Sequence, residues 1–219
     1  MKTKAVVFDA YGTLFDVNSA AEKCKNKIGN KWKSFADFWR TTQLEYTWLR
    51  SLMKKHKNFW EITEDSLDKS MKVFDVDRSM KNELLNLYKI LSPYPEVKMV
   101  LESLKKKNFK LAILSNGTPA LLNELVTNNN LNNLFDDLFS VEEVKVYKPD
   151  KRVYEIPIKK YNVIANEISF LSANTWDVSG GGNFGYNSIW VNRSNSEFDN
   201  LDFQPKNEIN NLTQLLDIV

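Results

Sequence analysis

The most restrictive feature of this chain is an interruption in its strand pattern. Residues 4–8 read KAVVF, a short run rich in β-branched residues and bounded by polar ones, which suits a central strand of a parallel sheet. Helical periodicity then replaces any strand signal until Lys110. Phe35, Trp39, Thr42, Tyr46, Leu49 and Met53 recur every three or four residues and predict a helix with one largely apolar face. Thr63, Glu64 and Asp65 offer an N-cap and first-turn acids for a second helix, and a third is predicted over 80–91. Ser92-Pro93-Tyr94-Pro95 breaks the pattern.

Beyond that break, strands and helices alternate. Helices are predicted over 96–107, after Thr118-Pro119 and over 151–161; strands over 110–114, 138–141, 168–171 and 188–191. Such alternation implies an α/β fold with a doubly wound, Rossmann-like parallel-sheet core. The core comprises residues 1–15 and 92–219, and an all-helical cap subdomain, residues 16–91, is inserted after the first strand.

Composition narrows the partners. The 219 residues are 42% apolar and 26% charged, an ordinary globular balance, and 30 basic against 28 acidic residues leave a net charge of +2. That is too little to recruit nucleic acid or a membrane, so a small molecule is the expected partner. One cysteine, Cys24, and one histidine, His56, build neither an intramolecular disulfide nor a Cys/His metal site. Cys24 reads as a small helical residue and His56 as part of a solvated helix end. The N-terminal apolar run stops at Asp9, short of a signal peptide or membrane span, and the expected compartment is reducing and cytoplasmic.

Ligands of open α/β sheets bind beyond the carboxyl ends of the strands. Asp9 follows the first strand, Ser115-Asn116-Gly117 the second and 172–177 a later one, while Lys148-Pro149-Asp150 precedes a helix. Strand-end placement brings these distant residues to one rim, the strongest sign of a site that the residues alone provide. The asparagine-rich 128–133 stretch reads as a polar turn, Lys105-Lys106-Lys107 as a helix C-terminus, and Gly180-Gly181-Gly182 lacks a dinucleotide fingerprint.

The segments FDAYGTL (8–14), FWRTTQLEYTWLRSLM (38–53), LSNG (114–117), VYKPDKRVY (146–154) and SANTWDVSGGGNFGY (172–186) resemble, in order, those of the haloacid dehalogenase superfamily, and within it the L-2-haloacid dehalogenases. The likeness covers nearly the whole chain. Two positions separate it from the magnesium-dependent phosphatases of that superfamily. Tyr11 stands where they carry a general acid, which contributes roughly 10²–10⁴-fold when an alkoxide must be protonated. Ala173 stands where they carry a magnesium-binding aspartate, while Asp177 remains. A departing halide needs no proton.

The resemblance implies metal-independent, cofactor-free hydrolysis of short L-2-haloacids to D-2-hydroxyacids by a homodimer. It makes Asp9 the nucleophile, Asp177 the base that activates water with help from Lys148, and Arg40 and Asn116 the halide contacts. Ser115 and the backbone amides of Ala10 and Tyr11 receive the substrate carboxylate. Tyr11, Leu44, Phe59 and Trp176 wall the pocket, and Thr13, Tyr154, Ser172 and Asn174 orient nucleophile, substrate or base. Phosphatase activity and a non-catalytic binding role on the same scaffold are the alternatives.

Overall fold

The computed structural model describes residues 3–219. Six strands, β1 (Ala5–Phe8), β2 (Lys110–Ser115), β3 (Asp137–Ser140), β4 (Ile168–Ser172), β5 (Asn187–Val191) and β6 (Asn207–Ile209), form one sheet in the order β3-β2-β1-β4-β5-β6. Every pairing is parallel. Winding reverses between β1 and β4, the switch point at which a crevice opens in such sheets. Phe8 is in register with Ile113 on one side and Leu171 on the other, so the residue after Phe8 emerges between the ends of β2 and β4. Burial on both faces explains the unbroken apolar runs VVF, LAIL and IWV.

Between β1 and β2 lie α1 (Ser19–Lys23), α2 (Lys25–Ile28), α3 (Trp32–Met53), α4 (Phe59–Val73), α5 (Lys81–Tyr88) and α6 (Val97–Lys106). The first five constitute the helical insertion, and α6 is the first helix flanking the sheet. After β2 come α7 (Pro119–Asn128), α8 (Lys151–Tyr161) and α9 (Thr175–Phe184). Thr118 caps α7 by accepting from the Leu121 amide, with Pro119 in the first turn, and Asp150 caps α8. Lys105 pairs with Asp136, and Lys107 donates to the carbonyls of Leu216 and Val219, so the lysine run closes α6 as expected.

Three expectations need correction. First, α4 begins at Phe59 rather than Thr63: Asn58 accepts from the Glu61 amide while Glu61 accepts from the Asn58 amide, a reciprocal cap just upstream of the predicted one. Second, the buried stripe of α3 is Phe35, Ala36, Trp39, Thr42, Gln43 and Thr47, whereas Leu49 and Met53 are 50% and 59% exposed. Phe35, Trp39 and Thr42 of the expected face are buried, but toward the C-terminus the buried stripe moves to Gln43 and Thr47, because the face against α4 is held partly by hydrogen bonds: Trp39 Nε1 and Gln43 Nε2 donate to Thr63.

Third, His56 is not at a solvated helix end. The chain leaves α3 through Lys54 in the left-handed region and turns inward, so the imidazole stacks on Tyr147 and lies 3.1 Å from Glu142. Gly180-Gly181-Gly182, which carries no dinucleotide fingerprint, lies inside α9, a helix with no counterpart among those expected. A Cβ on Gly180 would stand 2.7 Å from Pro149 Cβ, so the bare backbone lets α9 approach the Lys148-Pro149 segment.

Candidate active site

Asp9 leaves β1 at the switch point with its amide donating to the Leu171 carbonyl at 2.8 Å. The chain then turns tightly: Leu14 and Phe15 amides both donate to the Ala10 carbonyl, and Gly12 sits at φ +90°, a conformation that favours glycine. This turn brings Thr13 back over the carboxylate. Thr13 Oγ1 donates to Asp9 Oδ2 at 3.0 Å and accepts from the Ala173 amide at 2.8 Å. Asn174 Nδ2 adds a second donor to Oδ2, also at 3.0 Å.

Lys148 reaches the other carboxylate oxygen. Its ammonium is 3.1 Å from Asp9 Oδ1 and 2.8 Å from Asp177 Oδ2, with the lysine and Asp177 side chains fully buried. It also lies over the Phe170 ring at 5.1 Å. Tyr154 donates to Asp177 Oδ1 at 2.7 Å. Burial alone pushes the Lys148 pKa down, but Asp177 and Asp9 outweigh it and the net shift is upward. Asp177 is itself shifted up, by burial first and by the Asp9 charge, against the pull of Lys148 and the Tyr154 hydrogen bond. One cation shared between two carboxylates holds the lysine charged and leaves Asp177 more basic than an ordinary aspartate.

The helical insertion supplies the opposite wall. Arg40 donates to Gln43 Oε1 at 2.9 Å and is 3.4 Å from the Tyr11 carbonyl, at the edge of hydrogen-bond range. Gln43 is buried and donates to Thr63 Oγ1 at 2.7 Å and to Tyr88 Oη at 3.0 Å. Tyr88 in turn stacks on Tyr11, and Phe59 packs against the same ring. Sequence reasoning missed Gln43, Thr63 and Tyr88. Gln43 was findable as the i+3 neighbour of Arg40 on one helix face; Tyr88 offered no local signal.

The Tyr11 hydroxyl is buried without a hydrogen-bond partner, and burial raises its pKa well above the ordinary tyrosine value. It remains a neutral phenol. Gly117 permits its approach, because a Cβ there would come within 2.9 Å of the Tyr11 oxygen.

Thus Asp9, Thr13, Lys148, Tyr154, Asn174 and Asp177 form one hydrogen-bonded array, joined by Asn116, whose Oδ1 accepts from the Lys148 amide at 3.2 Å. Ser172 touches it indirectly, accepting from the Asn174 amide. Ser115 Oγ accepts from the Gly117 amide instead of entering the array. Leu44 and Trp176 are half-buried, and Trp176 meets Trp48 of α3 edge to face across the seam between insertion and sheet. Among the described residues, no three His, Cys, Asp or Glu side chains gather into a metal-binding group. No helix among the described residues is long and apolar enough to cross a membrane.

A parallel sheet with an aspartate at its switch point, a lysine bridging it to a second aspartate, and a helical insertion above them define a Rossmann-like α/β protein with a capped site. The chain belongs to the haloacid dehalogenase-like hydrolases, whose family model matches residues 3–185. It is 40% identical over 214 residues to the (S)-2-haloacid dehalogenase of Pseudomonas fluorescens, covering 97% of this chain and 94% of that one. Haloacetate dehalogenase H-2 of a Moraxella strain is 38% identical, covering 93% and 92%. Among solved structures, L-2-haloacid dehalogenase from Xanthobacter autotrophicus with chloropropionic acid covalently bound superposes with a TM-score of 0.92 at 32% identity, over 99% of this chain and 98% of that one.

Proposed function

We propose that this protein hydrolyses the carbon–halogen bond of short L-2-haloalkanoic acids, giving D-2-hydroxyacids with inversion through an ester of Asp9. The observation that carries this reading is the Asp9–Lys148–Asp177 array facing a neutral Tyr11. Lys148 supplies fixed positive charge between the two carboxylates, and no acidic group stands two residues beyond Asp9 to protonate an alkoxide. The kinship with (S)-2-haloacid dehalogenases along almost the full chain supports it, as does the covalent adduct of the Xanthobacter enzyme.

An Asp9 oxygen attacks C2 from the face opposite the halogen, the carbon–halogen bond breaks, and the halide leaves with the electron pair. Arg40 and Asn116 receive the developing anion, while Ser115 and the amides of Ala10 and Tyr11 hold the substrate carboxylate. Tyr11, Leu44, Phe59 and Trp176 form the apolar wall. Water then adds to the ester carbonyl as Asp177 takes its proton. Collapse expels the hydroxyacid oxygen, Asp177 returns a proton to it, and Asp9 keeps the oxygen that came from water. Thr13, Asn174 and Ser172 orient the nucleophile and its turn; Tyr154 orients the base.

Three coarser features accompany this reading. The subdomain boundaries fall at 15/16 and 91/92, supported by the Asp16 amide donating to the Ser92 carbonyl at 2.9 Å where the two chain crossings meet. Exposed Leu49, Leu52 and Met53 along α3 support a homodimer through the insertion. The lone, reduced Cys24 suits the cytoplasm.

The deciding experiment measures halide release from L- and D-2-chloropropionate with a chelator present, beside phosphate release from a generic ester. Release from the L enantiomer, untouched by the chelator, is expected. Chelator-sensitive phosphate release without dehalogenation would overturn the proposal.

A further inference from the structure

Just beyond the end of β5, outside the Asp9 array, Arg193 joins three segments of the chain. One terminal nitrogen, Nη2, donates to the Thr13 carbonyl at 2.8 Å; the other, Nη1, pairs with Glu96 Oε1 at 2.7 Å. The guanidinium lies 3.7 Å from the centroid of the Tyr94 ring. Arginine and Glu96 are both largely buried, at 14% and 8% side-chain exposure. Tyr94 and Glu96 belong to the chain returning from the helical insertion, and Thr13 to the chain entering it. The two crossings also bond to each other, with the Tyr94 amide donating to the Leu14 carbonyl at 3.0 Å.

We infer that Arg193 is a positioning residue for the proposed reaction: it clamps the Thr13 peptide and thereby sets the hydroxyl that holds Asp9 Oδ2. Thr13 has its hydroxyl on the nucleophile and its carbonyl on Arg193, so a displacement of that peptide moves the donor aimed at Asp9. The pair with Glu96 alone would make Arg193 an internal brace. Two features go further. The fork is split between a carboxylate and a backbone carbonyl instead of closing bidentately on Glu96, and Nε is left buried without a partner. Leaving Nε unpaired costs stability, so pairing with Glu96 alone does not account for this orientation of the fork.

The fork also matters because lysine cannot copy it. An ammonium is a compact point charge on a flexible stem and cannot fix two acceptors in one plane while stacking on tyrosine. Arg193→Lys therefore keeps the charge beside Glu96 while releasing the Thr13 carbonyl.

This inference rests on the dehalogenase reading, so the wild-type enzyme is measured first by halide release from L-2-chloropropionate. Absence of release would overturn that reading, and this one with it. Single-turnover halide release, which reports Asp9 attack, is then compared for wild type, Arg193→Lys, Arg193→Met, Thr13→Val and the Arg193→Lys/Thr13→Val double variant, with urea unfolding of each. Arg193→Lys is expected to lose about tenfold in this rate with KM within about twofold, the size expected of a small misplacement of a reacting group. On the Thr13→Val background the same change should cost less than about twofold, because the hydroxyl it positions is gone. An unchanged rate in folded Arg193→Lys, or a loss that multiplies fully with that of Thr13→Val, would overturn the inference. Arg193→Met extends the series where it folds, and Arg193→Lys decides the question where it does not.

Discussion

Lys148 Nζ stands 2.8 Å from Asp177 Oδ2 with neither side chain reached by solvent, although the two residues are 29 positions apart in sequence. A buried ammonium on its own would shed its charge. Here Asp177 and Asp9 together reverse the effect of burial and raise the lysine pKa. The charge that the proposed chemistry uses is thus the one that makes the buried carboxylates tolerable.

Removing that charge exposes the dependence. Lys148→Met leaves Asp9 and Asp177 buried together without a cation and should cost about 3–5 kcal/mol of stability, together with activity. In the wild type the raised lysine pKa carries a pH signature. Its contribution is fully present below the ordinary value of 10.5 and is lost as pH rises through the higher folded value. Urea unfolding between pH 8 and pH 12 should show stability falling above about pH 10.5 in wild type but not from this source in Lys148→Met.

Asp9→Asn separates chemistry from folding. The Lys148–Asp177 pair survives and one of two carboxylates sharing the lysine is neutralised, so the melting temperature should stay level or rise, as at other sites where function and stability conflict. Halide release should fall at least about a thousandfold. In water labelled with heavy oxygen, mass analysis of the wild-type Asp9 peptide after turnover should find label in its carboxylate; an unlabelled carboxylate would rule out the ester route.

Tyr154→Phe tests the base. The phenol donates to Asp177 Oδ1 at 2.7 Å and lowers a pKa that burial has already raised. Deleting the donor should lift that pKa further, and Asp177 must be ionised to take a proton from water. The acid limb of the ester-hydrolysis rate should therefore move to higher pH, by up to about one unit for a hydrogen bond worth about 1 kcal/mol. A shift toward lower pH would remove Asp177 from the base role.

Gln43→Leu addresses the insertion. It strips Arg40 of its 2.9 Å acceptor and leaves Thr63 and Tyr88 hydroxyls facing an alkyl group in a buried setting. A stability loss of about 1–3 kcal/mol is expected, with about a tenfold drop in kcat/KM as Arg40 loses its orientation. Urea titration and steady-state kinetics on the same preparation measure both.

Much of this was legible from residues alone, for local reasons. The alternation of apolar runs with helical periods specifies a doubly wound sheet, and the strand ends had to carry the polar residues that gather there. The helices after Thr118-Pro119 and after Asp150 start where expected, and the structure shows why the start is a local matter: each is capped by the residue before it. The α4 start was misread although its signal, Asn58 with Glu61, is equally local: the acids after Thr63 competed with it. Only the C-terminal half of the α3 face escaped the hydrophobic pattern, since Gln43 and Thr47 are buried polar residues and Gln43 bonds to partners on other segments.

The sequence by itself determined which chemical groups were available: a carboxylate after the first strand, a phenol in place of an acid two residues on, and a lysine before Pro149. Only the tertiary structure decided their arrangement. Parallel register puts Asp9 between β2 and β4, Gly180 lets α9 close on Pro149, and Arg193 reaches back from the end of β5 to the Thr13 peptide. The reason is range. Caps and periodicities act over three or four residues, whereas the partners of Asp9, Gln43 and Arg193 are fixed by packing between segments that no local pattern relates.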